Sequence, residues 1–66
     1  MSGIYTQFLH HSARFDEALE DGGTYLRLYD RYGGSRDDLE SAIDCFEYAI
    51  SRINDAIKAC KEKANA

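Results

Sequence analysis

The chain contains no proline and no tryptophan, one methionine and two cysteines. Without proline nothing in it is obliged to break a helix, and punctuation falls to its five glycines. Long apolar runs are missing too. The longest is Tyr48-Ala49-Ile50, far short of the roughly 20 residues needed to cross a bilayer. Met1-Ser2-Gly3 is followed by neither a basic segment nor an apolar stretch, which predicts no secretory signal. The few cysteines carry their own exclusions. On one helix Cys45 and Cys60 would stand about 22 Å apart along the axis, beyond the roughly 4.4–6.8 Å between Cα atoms that a disulfide spans. Two uncoupled thiols suggest a reducing cytoplasm. There is no C-x-x-C, and His10-His11 has no cysteine at zinc spacing, so no metal or other cofactor is expected.

What remains is 66 residues, 44% apolar and 30% charged, too apolar for disorder and too charged for a membrane segment. Residues 1–66 form one small domain. A chain this short buries only about 60% of the surface its unfolded form exposes and usually needs a staple or a partner. The net charge of −4 is unevenly spread. Residues 1–50 hold four arginines against ten carboxylates, giving −6; residues 51–66 hold Arg52, Lys58, Lys61 and Lys63 against Asp55 and Glu62, giving +2. That balance argues against general nucleic-acid binding, which draws on Lys and Arg, although the basic tip keeps an RNA-binding alternative open.

Two helical patterns flank one break, Tyr32-Gly33-Gly34-Ser35. Gly after a periodic stretch ends a helix in the left-handed conformation, and Ser35 offers the next N-cap, with Asp38 as a weaker capping-box acid. The spacing predicts a helix over about 4–32, a turn at 33–35 and a helix over about 36–63. In the second helix, with Leu39 at heptad position a, the a row is Leu39, Phe46, Ile53 and Cys60. The d row is Ala42, Ala49 and Ala56; the e row is Ile43, Ile50 and Ile57. No charge enters these rows, which predicts a packed stripe with alanines admitting a close neighbour. The first helix offers Phe8, Phe15, Gly22 and Tyr29 beside Ile4, His11, Ala18, Tyr25 and Tyr32. An antiparallel hairpin turning near residue 34 sets position i opposite about 68 − i, so Gly22 would make room for the ring of Phe46. A kink at Gly22-Gly23 is the alternative to a continuous or mildly bent helix.

The expected fold is therefore all-α, an antiparallel two-helix hairpin. Alone it would leave half of each helix wet, so two copies are expected to form a four-helix bundle, a homodimer. Leu9, Leu28 and Cys45, outside the main seam, and Phe46 are the candidate dimer-interface residues. The pairing direction of the hairpins stays open.

Catalytic chemistry finds little support. Asp16, Glu17, Glu20 and Asp21 have i, i+4 spacing but fall on water-facing positions, and no Glu-x-x-His accompanies them. His10 and His11 have no evident nucleophile beside them, and the glycine pairs lack phosphate-loop context. No enzymatic activity is expected. Tyr25, Tyr29, Tyr32, Arg27, Arg31 and Arg36 cluster about the turn, and Tyr and Arg are enriched among interface hot spots. They are also ordinary edge residues of a small core.

Ala42-Ile43-Asp44-Cys45-Phe46-Glu47-Tyr48-Ala49, followed by Asp55-Ala56-Ile57-Lys58-Ala59 and a basic tail, resembles the second helix of a phage family. That family is the quorum-sensing anti-activators of certain Pseudomonas phages. The likeness covers about 25 residues, and the first helix loosely through Arg14 and the aromatic stretch near Tyr25. It implies a dimeric hairpin that binds a LuxR-type regulator and keeps it from DNA, or inhibits the ATPase that assembles type IV pili. The chain departs from the family at Leu39 and Glu40, where the pattern has tyrosine and arginine. The expected function is thus a non-enzymatic inhibitor of a host bacterial protein, acting in the host cytoplasm. Tyr32, Arg36, Leu39 and Tyr48 are its expected contacts. The alternatives are a small RNA-binding hairpin dimer using Arg52, Lys58, Lys61 and Lys63, or a purely structural self-assembling subunit.

Overall fold

The computed structural model describes residues 3–65. They form two helices, α1 (Ile4–Arg31) and α2 (Arg36–Ala64), packed against each other as a hairpin. The observed ends lie within one residue of those expected. Gly33 and Gly34 both have positive φ, 93° and 78°, a region that side-chain-bearing residues avoid. The Gly34 N–H donates to the Tyr29 carbonyl at 2.9 Å, and the Tyr32 N–H to the Leu28 carbonyl. The first of these is the six-to-one closure of a Schellman end, which satisfies a carbonyl the helix leaves over.

The two helices begin differently. Ser35 Oγ accepts from the Asp37 N–H at 3.3 Å, one residue earlier than the capping-box reading placed it. Asp37 and Asp38 in the first turn and Lys61 and Lys63 in the last follow the helix dipole. α1 starts at Gly3 with no side-chain cap and no acid in its first turn. It is held by its packing more than by its own ends.

The packing is close because small residues line it. Among the described residues the buried apolar side chains are Ala18, Ala42 and Ala49, and Gly22 is buried with them. At Gly22 a Cβ would sit 2.8 Å from Cζ and 2.9 Å from Cδ1 of Phe46, so the ring occupies the space that the glycine leaves. Gly23 has nothing within 4 Å of where its Cβ would be. α1 nevertheless runs unbroken through both glycines, because Phe46 seats on the first of them. Phe15, Tyr25, Tyr29, Leu28, Leu39 and Cys45 are half-buried along the margins.

The result is thin. The backbone fills 51 × 19 × 10 Å with a radius of gyration of 15.3 Å, against about 11 Å for a compact domain of this length. A body one helix thick encloses no core of large side chains, and among the described residues none is fully buried.

Candidate protein-binding surfaces

A hairpin has two broad sides, and helix geometry assigns residues to them. Successive residues turn by about 100°, so in an antiparallel pair one flank of each helix comes to each side. The groove lined by Arg14, Glu17, Ala18 and Asp21 of α1 and Asp44, Cys45 and Tyr48 of α2 fixes which flanks share a side. It has a volume of about 350 Å³ and carries charge of both signs. Across it Tyr48 lies with its ring under Arg52, whose Cζ is 5.0 Å from the ring centroid, a cation–π arrangement. Arg52 also reaches Asp55 at 3.8 Å, while its buried Nε has no partner. Its place is structural, packed along Tyr48.

The opposite side is apolar. On α2 it presents the e row, with Ile43 51%, Ile50 59% and Ile57 46% exposed. This corrects the expectation that the row packs within the hairpin: the Ala42 and Ala49 row takes the seam and the isoleucines look outward. On α1 the same side carries Phe8, Leu19 and Leu26, all exposed. Cys60, expected in the seam, is also exposed, and both cysteines are free thiols.

The eight residues singled out from the sequence do not make two compact patches. Tyr32 caps α1 and Arg36 opens α2, so both stand at the turn, exposed, with Arg36 Nε paired to Glu40 Oε1 at 3.1 Å. Leu39 and Tyr48 are nine residues apart, about 900° or half a turn, which puts them on opposite sides of α2. Leu39 sits half-buried on the apolar flank and Tyr48 on the groove. Among the interface candidates, Cys45 lines the groove and Leu28 lies on that same flank of α1. Phe46 is committed to Gly22, and Leu9 is half a turn from Ala18 and points away from α2. Arg14, Asp21 and Asp44 of the groove were not singled out as contacts. The regular seven-residue recurrence of isoleucine was the sequence signal for the apolar side.

Among the described residues no three His, Cys, Asp or Glu side chains come together as a metal site, and no helix is long and apolar enough to cross a membrane. His11 has a buried Nδ1 without a partner at the open end of the hairpin, beside Ala56, Ala59 and Cys60. Lys58 and Lys61 line a shallow cleft near the C-terminal end that Glu62 shares, so positive charge there is diluted. No family model, curated protein or solved structure matches the chain.

Proposed function

We propose that the chain is a non-enzymatic inhibitor, a homodimeric helical hairpin that binds a bacterial host protein in the cytoplasm and blocks it. The candidate targets are a LuxR-type transcriptional regulator or the ATPase that assembles type IV pili, as the phage-family resemblance implies. The observation that carries the reading is the ratio of surface to core. Among the described residues three alanines are the buried apolar side chains, while twelve large apolar residues are exposed. Six of the twelve, Phe8, Leu19, Leu26, Ile43, Ile50 and Ile57, share one side of the hairpin, and large exposed apolar surface of that kind marks association. Blocking by occupancy needs complementarity and no reacting group.

The two sides suit different tasks. Self-association covers apolar surface, and the groove with Tyr48, Arg14 and Asp44 offers the mix of an aromatic anchor and charges that suits a chosen partner. Tyr32 adds an exposed ring at the turn, whereas Arg36, seven residues before Ile43, continues the isoleucine row on the other side.

The test adds the purified chain to a Pseudomonas LuxR-type regulator bound to its promoter DNA, and separately to the pilus-assembly ATPase. The expected outcome is loss of the gel shift or of ATP hydrolysis at near-stoichiometric amounts. Tyr48→Ala is expected to require about tenfold more protein, the equivalent of about 1.4 kcal/mol of lost contact. Unchanged DNA binding together with unchanged ATP hydrolysis overturns the inhibitor reading.

A further inference from the structure

We propose that the Ile43, Ile50 and Ile57 side of the hairpin, with Phe8, Leu19 and Leu26, is the self-association surface, and that a second copy docks there with its α2 antiparallel to the first. The inference rests on the homodimer of the proposed function and names its face and direction. Area argues for the occupant. The hairpin exposes 5211 Å² at 7.5 kDa, whereas a folded monomer of that mass exposes about 4,250 Å². The excess, about 1,000 Å², is close to the roughly 800 Å² that each partner gives to a standard interface.

Symmetry argues for a copy of itself. α2 runs from Arg36 to Ala64, so its midpoint is Ile50, and Ile43 and Ile57 stand seven residues on either side. A two-fold axis beside Ile50 sets Ile50 against its own counterpart and Ile43 against Ile57, so the row is complementary to itself. Charge selects the direction. Residues 36–50 hold five carboxylates against one arginine, and residues 51–64 hold four basic against two acidic side chains. Antiparallel pairing places the acidic half of one α2 along the basic half of the other; parallel pairing places like halves together. The groove side then stays open in the dimer.

The test is cysteine cross-linking in a Cys45→Ser, Cys60→Ser background, with oxidised glutathione as oxidant and sedimentation equilibrium alongside. Facing Cα atoms on helices about 8–10 Å apart come within disulfide reach. Ile50→Cys is expected to cross-link with itself. Ile43→Cys and Ile57→Cys are each expected to fail alone and to join when refolded together. Ile50→Glu is expected to raise the dimer dissociation constant about a hundredfold or more, because each copy brings a carboxylate into an apolar contact. Leu28→Glu, on the other side, is expected to leave it unchanged. Self-cross-linking of Ile43→Cys overturns the antiparallel direction. A dimer that persists in Ile50→Glu without cross-linking at 43, 50 or 57 overturns this face and leaves the homodimer standing. A wild-type chain that sediments as a monomer at micromolar concentration overturns the face and the homodimer together.

Discussion

The two sides of this hairpin are built from the same two helices and differ in what they can tolerate in water. One presents isoleucine at 43, 50 and 57, each about half exposed; the other presents Arg14, Glu17, Asp21 and Asp44 around Tyr48 and Cys45. A 100° step per residue carries both patterns on one sequence, because residues three and four apart share a flank. The lesson is that amphipathicity here is not a single inward face. Each helix has a narrow seam of alanine and glycine for its neighbour, a wide apolar flank and a charged flank.

The largest effect is expected from the apolar side. Ile43→Ser with Ile57→Ser removes two side chains whose burial in a dimer contributes about 1.5–3 kcal/mol each. The melting temperature should fall and lose its dependence on protein concentration. The matching groove-side pair, Arg14→Ala with Asp44→Ala, should change stability by no more than about 0.5 kcal/mol. Equal losses from the two pairs would erase the distinction between the sides. Next comes Phe46→Ala, which empties the space over Gly22 and should cost about 3 kcal/mol in chemical denaturation. Gly22→Ala attacks the same contact from the other helix and should cost about 1–3 kcal/mol through overpacking. Gly23→Ala, with open space beside it, should instead gain about 0.5–1 kcal/mol from helix propensity. Opposite signs at adjacent glycines would localise the seam to one residue. Tyr48→Ala, on the groove side, also belongs to the small effects. Loss of its contact with Arg52 should cost about 0.5–1 kcal/mol and leave the sedimentation of the chain unchanged.

Much of the fold was legible in the sequence. The helix ends follow from Gly33, Gly34 and Ser35, and the facing of Gly22 and Phe46 follows from hairpin arithmetic alone. Both are local or nearly local facts: a positive-φ requirement, a cap, a count of residues from a turn. The surfaces were less legible. That Leu39 and Tyr48 lie on opposite sides of α2 is already implied by nine residues of helix, and their common interest as apolar or aromatic residues near α2 hid it. Arg14, Asp21 and Asp44 come from both helices, and only the crossing of the helices makes them neighbours.

By itself the sequence determined two helices, their ends, their register and the absence of any long apolar run. Hydrophobic periodicity specifies that a row will share a flank, since that depends only on helical geometry. It does not say which row meets the neighbour within the chain. The tertiary structure decided that the alanine and glycine rows take the seam, because small side chains let the helices approach and leave room for Phe46. Bulky isoleucines are thereby pushed to the outer flank, where a thin pair of helices has nothing of its own to cover them.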